Sequence, residues 1–127
     1  MSFDLSLQQA IYNQLNNVIS CSVYDSPPKT PAYPYVVIGD DSSIEFDTDN
    51  TIGREFISTI HVFDNYAGKK RIKNIFGEID SALNRVNFIV PSKHLINCNF
   101  DSTDIFLDSD GKTFHGVISF KILIDED

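Results

Sequence analysis

The sequence has no tryptophan, one methionine and two cysteines among 127 residues. Its core must therefore come from Phe, Ile, Leu and Val, and ten phenylalanines carry much of that duty. Two cysteines make no disulfide framework. Cys21 and Cys98 read as free, partly buried thiols in a reducing compartment, with a bridge between them open but unsupported. No basic segment followed by an apolar run opens the chain, and no window approaches 18 uninterrupted apolar residues. The expectation is a product made and used in the cytoplasm, away from membranes. Positive charge is also scarce. Ten Lys and Arg face 18 Asp and Glu, a net charge of −8. Such a surface repels phosphate, which disfavours gripping DNA or anionic lipid. It leaves open a role in which DNA must not stick.

The six glycines are isolated, so no loop is built to cradle phosphate. Structural zinc needs about four Cys or His ligands in short paired spacings. The three His and two Cys form no such pair. Neither cysteine has the neighbours of a reactive thiol. His61 lies mid-strand, where neighbours satisfy it. His115 is expected on an exposed face, and His94 in a loop or at a strand edge after Pro91. Asp47-Thr48-Asp49-Asn50-Thr51-Ile52-Gly53 superficially resembles a calcium loop. That motif needs glycine sixth and glutamate twelfth, and Ile52 and Ser58 stand there instead. The expectation is no catalytic residue, no metal and no cofactor. A metal-dependent enzyme using the 40–49 acidic stretch, for instance a nuclease with Asp40, Asp41 and Glu45, remains the alternative from a different class.

What is present reads as one domain, 1–127. Residues 4–20 form an amphipathic helix, with Leu7, Ile11, Leu15, Val18 and Ile19 on one stripe and Ser2 or Asp4 as cap. Residues 21–24 are a short strand. Ser26-Pro27-Pro28-Lys29-Thr30-Pro31 forbids regular structure. Residues 34–39 read as a strand buried on both faces. Residues 40–53, acidic and without Lys or Arg, are a protruding hairpin or a flexible loop. Residues 54–63 are the clearest central strand. Asp64-Asn65 offers a cap to a helix running to about Asn84, with Ile72, Ile75, Phe76, Ile79 and Leu83 as its stripe. Residues 87–90 and 94–107 are strand-like, and Asp108-Ser109-Asp110-Gly111 is a turn. In the last strand Phe114, Gly116, Ile118, Phe120, Ile122 and Ile124 face one way. The order predicts an α+β fold: a mainly antiparallel sheet with two helices packed on one face.

Lys69, Lys70, Arg71 and Lys73 crowd the start of the second helix, at the positive pole of its dipole. Each misplaced cation costs on the order of 0.3–1 kcal/mol when exposed. Either solvent and salt screen that cost, or something anionic lies against them. Asp40, Asp41, Glu45, Asp47 and Asp49 are the obvious anions. Supplied by a neighbouring copy, they would make a heterologous contact of the kind that closes rings.

Four segments together resemble a family of short phage proteins known as tail-completion, or tail-to-head joining, proteins. They are the Leu7–Leu15 helix; Val23-Tyr24-Asp25 with Tyr33-Pro34-Tyr35-Val36-Val37-Ile38-Gly39; His61-Val62-Phe63-Asp64 with Ala67-Gly68-Lys69-Lys70 and Ala82-Leu83-Asn84; and Phe100-Asp101-Ser102 with Asp108 to Val117. The resemblance covers nearly the whole chain. It implies a structural virion protein, assembled in the host cytoplasm, that caps the tail tube as a ring of six copies and docks onto the head connector. It implies no catalytic residue and no cofactor. The implied partners are other copies of the chain, the tail tube protein and the connector, with DNA passing unbound. In a ring the same five carboxylates become candidates to line the channel. Another minor tail or neck protein of similar fold is the alternative within the particle.

Overall fold

The computed structural model describes residues 1–126. The element order is α1 (Phe3–Val18), β1 (Ser22–Tyr24), β2 (Tyr35–Glu45), β3 (Gly53–Asp64), α2 (Lys70–Leu83), β4 (His94–Leu107) and β5 (Phe114–Asp125). The strands make one sheet in the order β1-β2-β3-β5-β4. Only the three-residue β1–β2 pairing is parallel; the others are antiparallel. This is the α+β fold expected.

Alternation decides which side of the sheet is covered. Val36 and Ile38 of β2, Phe56, Ile60 and Val62 of β3, and Ile118, Phe120, Ile122 and Ile124 of β5 all point to one side and are buried. The helices cover that side. Leu7, Ile11 and Leu15 of α1 are sealed from solvent, as are Ile72, Ile79 and Leu83 of α2. Each such side chain contributes about 1.5–3 kcal/mol by leaving water. Ser2 accepts from the Leu5 N–H at 3.1 Å, so of the two candidate caps it is the one that starts α1.

Several boundaries differ from expectation. Val18 lies off the buried stripe and is exposed. Residues 35–39 are buried on one face only, because Tyr35 and Val37 lie on the side the helices leave open. β2 continues through the acidic run to Glu45, so the 40–53 stretch is a hairpin. Backbone pairing to β3 holds those polar residues extended. Asp64 closes β3 and does not cap the helix. α2 begins at Lys70, after Lys69 with no side-chain cap. Residues 87–90 are irregular and are held down by buried Phe88 and Val90.

Candidate assembly surfaces

The acidic hairpin is shaped by one extra residue. Gly39 pairs with Thr59 and Asp41 with Ser58, which leaves Asp40 as a bulge with φ of 61°. A bulge re-aims a side chain, and here it turns the Asp40 carboxylate onto His61. Beyond it the hairpin carries Asp41, Glu45, Asp47 and Asp49, all exposed. Its tip is fixed from within: Phe46 N–H donates to Gly53 O at 2.9 Å, and Gly53 N–H to Asp47 Oδ1 at 3.1 Å. Gly53 is needed because a Cβ there would stand 2.5 Å from the Phe46 carbonyl oxygen. Three large apolar side chains cluster at this tip in water: Ile44, Phe46 and Ile52 are 64%, 42% and 52% exposed.

The basic cluster divides in two. Arg71 turns inward, its Nη2 3.0 Å from Oδ1 of Asp64, a fully buried carboxylate. That contact is off the line of a hydrogen bond, so the attraction is Coulombic. The Arg71 guanidinium also lies over the Tyr66 ring, 5.4 Å from its centroid. Arg71 therefore has its anion within its own chain. Lys69, Lys70 and Lys73 are exposed, and among the described residues none has a carboxylate within ion-pair distance. Lys73 stands over an open groove of about 400 Å³ between α2 and β4. Phe76, Phe100, Ile105 and Ile118 supply its apolar wall, and Asp80 closes the far end.

The sheet face without helices holds a linked set that residue spacing did not reveal. His61 Nε2 lies 2.9 Å from Asp40 Oδ2, and His61 Nδ1 lies 2.7 Å from His115 Nε2. His115 Nδ1 is 3.7 Å from Asp108 Oδ1. One hydrogen fits between the two imidazoles, so one ring donates and the other accepts. Around them Phe63 stacks on His115 at 4.3 Å, Phe106 tilts against it at 4.7 Å, and Tyr35 stacks on Phe63 at 5.1 Å. His115 is thereby half-buried, contrary to the expected exposure. Burial first, then the neighbouring His61, hold its imidazole below the ordinary value. The one available signal was parity: both histidines occupy positions alternate to the core residues of their strands.

The thiols lack the setting of nucleophiles. Burial pushes Cys98 up to about 12, and burial followed by Glu78 pushes Cys21 up to about 11. Both cysteines are unbridged. His94, at the edge strand's first residue, is 3.0 Å from Asp125. The expected turn is built on Asp110, which accepts from Thr113 Oγ1 at 2.7 Å and from the backbone N–H groups of Lys112 and Thr113. The Thr113 hydroxyl first, then those N–H groups, lower the Asp110 carboxyl to about 2. Gly111 supplies the left-handed residue, with φ of 71°. Among the described residues no group of three His, Cys, Asp or Glu is placed to hold a metal ion.

A small α+β module with helices on one side of its sheet and exposed charge clusters at two margins has the form of a structural protein that works through its surfaces. Comparison with known proteins gives that class a family. The model for tail completion protein gp17 matches residues 9–125, and the chain belongs to that family. It is a structural protein of phage tails. Tail completion protein gp17 of Bacillus phage SPP1 is 28% identical over 114 residues, covering 90% of this chain and 84% of that protein. A chain from the virion of a native gene transfer agent particle shares the fold. Its TM-score is 0.86 at 20% identity, covering 98% of this chain and 99% of that one.

Proposed function

We propose that this protein completes the tail as a closed ring of identical copies, six in number, which caps the tail tube and docks onto the head connector without catalysing a reaction. The reading rests on family membership. The observation that carries the ring is the sorting of charge within one chain. The acidic hairpin leaves the sheet on the β2 side. The groove that Lys73 lines lies against β4, and exposed Lys69 and Lys70 stand at the start of α2, on the turn before Lys73. A surface whose two complementary patches lie on opposite margins is suited to heterologous contacts, and such contacts close into rings when the rotation allows. The net charge of −8 supports passage of DNA through the ring without binding.

Particles assembled without this protein test the reading. The expected result is filled heads and separate tails that fail to join, with joining restored by adding the purified protein. Normal joined particles in its absence would overturn the function. A virion whose neck contains no copy of the chain would overturn the location.

A further inference from the structure

We propose that the β2–β3 hairpin tip of one copy seats in the α2–β4 groove of the next, with Phe46, Ile44 and Ile52 against the groove's apolar wall and Glu45 and Asp49 against Lys73, Lys69 and Lys70. The inference rests on the ring reading above and names its contact.

Three observations converge on this occupant. The first is chemical. The tip combines three exposed large apolar residues with carboxylates, and the groove combines an apolar wall with ammonium groups. Phe100 in that wall is itself 45% exposed, so each patch leaves in water what the other would cover. The second is charge balance. The groove is lined by Lys73 and Asp80, exposed Lys69 and Lys70 lie on the helix turn before it, and β4 beside it carries exposed Asp101 and Asp104. The tip holds Glu45, Asp47 and Asp49, and among the described residues Asp47 alone of these has a side-chain hydrogen bond, from the Gly53 N–H. The third is geometry. In the sheet order, β3 and β5 lie between the hairpin's outer strand β2 and the groove strand β4. At a strand spacing of about 4.8 Å, that separates the two edges by roughly 14 Å. A copy cannot fill its own groove, and every copy can offer its tip to one neighbour while accepting the tip of another. The contact joins unlike patches, so it propagates around a ring. A partner of different chemistry is not required, because the complement is already encoded in the chain.

The test uses particles assembled with copies carrying a photo-crosslinking benzoyl-phenylalanine in place of Phe46. Tails are purified, irradiated and mapped by mass spectrometry. The expected result is a covalent dimer of this chain with the adduct in 73–80 or 100–105. Lys69→Glu, Lys70→Glu and Lys73→Glu together should lower the dimer yield at least tenfold. Glu45→Lys with Asp49→Lys should do the same. Mixing the two reversed proteins should restore the yield, since each tip then meets a groove of opposite charge in the other. A chain present in tails but crosslinked to a different protein, or to no protein, overturns the docking and leaves the tail function standing. A mixture that stays as poor as its components also overturns it. Absence from the tails of the chain that carries only the Phe46 crosslinker overturns the functional reading instead.

Discussion

Gly116 is the third residue of β5 with α2 directly above it, and one added methyl group there measures how firmly the helix is seated. A Cβ on Gly116 would stand 2.6 Å from Ile72 Cγ2, 2.8 Å from Phe76 Cζ and 3.1 Å from Phe76 Cε1. Ordinary carbon contacts are about 3.5–4.0 Å. Ile72 is fully buried and β-branched, so its methyl is held in one rotamer by the helix. The Phe76 ring can tilt a little, but the Ile72 contact obliges α2 to lift by about 1 Å. Overpacking of this kind costs about 1–3 kcal/mol. Lower unfolded-chain entropy returns about 0.4–1 kcal/mol. Gly116→Ala should therefore destabilise by about 1–2 kcal/mol. For 127 residues, that lowers Tm by about 4–7 °C in calorimetry. Ile72→Ala removes the obstructing methyl and is itself destabilising by about 2–5 kcal/mol. The double variant should lose at least about 0.5 kcal/mol less than the two single losses added together. An unchanged Tm for Gly116→Ala, or strict additivity of the pair, would refute this account of how α2 packs.

Gly53→Ala places a methyl against a backbone oxygen that cannot swing away. It should cost about 1–3 kcal/mol in urea denaturation and shift the amide resonances of Phe46 and residue 53. Arg71→Ala leaves the sealed Asp64 carboxylate without its cation. Arg71 is half-exposed and partly screened, so a loss of about 1–3 kcal/mol is expected, below the figure for a fully buried pair. Adding Asp64→Asn should recover much of it, and a double variant no better than the single would count against the pairing. His115 titrates below its ordinary value in the folded state, chiefly through burial. The unfolded chain thus binds more protons in that window. The contribution of His115 is complete above about pH 6.5 and is lost as pH falls below it. Stability followed from about pH 8 to 5 should decline on the acid side. His115→Gln should flatten the decline, and an identical profile for the variant would show that other groups cause it.

Elements whose side chains repeat against a core were readable from the sequence. The α2 stripe of Ile72, Ile75, Phe76, Ile79 and Leu83 is buried throughout, and in β5 every second residue from Gly116 to Ile124 meets the helices. The outer half of β2 was readable only as one of two alternatives, a protruding hairpin or a flexible loop. Asp41 to Glu45 are poor strand formers apart from Ile44 and have no buried face, and they are extended because β3 holds their backbone. Asp64 resembles a helix cap in sequence, yet it completes β3 and is drawn inside by Arg71. The histidine pair depends on the register of β3 against β5. Its members are 54 residues apart in the chain, and no local pattern brings them together. The bulge at Asp40 was likewise invisible, since it follows from the pairing of Gly39 and Asp41 with consecutive residues of β3.

The open margins of the sheet fit the proposed subunit, which would stay separate until it assembles. β4 is a 14-residue edge strand, long enough to recruit a stray strand. Two register breaks, at Leu95/Asn97 and Phe100/Ser102, interrupt its regularity, and exposed Asp101 and Asp104 add charge to it. Bulges and edge charges are the devices by which soluble proteins avoid indiscriminate sheet pairing. On the opposite margin, β1 covers only Tyr35 to Val37 of β2, and beyond that the bulge and the acidic residues take over. Both margins thus discourage joining through backbone, which is indifferent to the partner's sequence. What they leave available is side-chain recognition: apolar residues beside carboxylates at the hairpin, and an apolar groove under Lys73 against β4. Recognition of that kind selects its partner and weakens with salt. An assembly carried by it should therefore form more slowly as ionic strength rises, whereas one carried by strand pairing would change little.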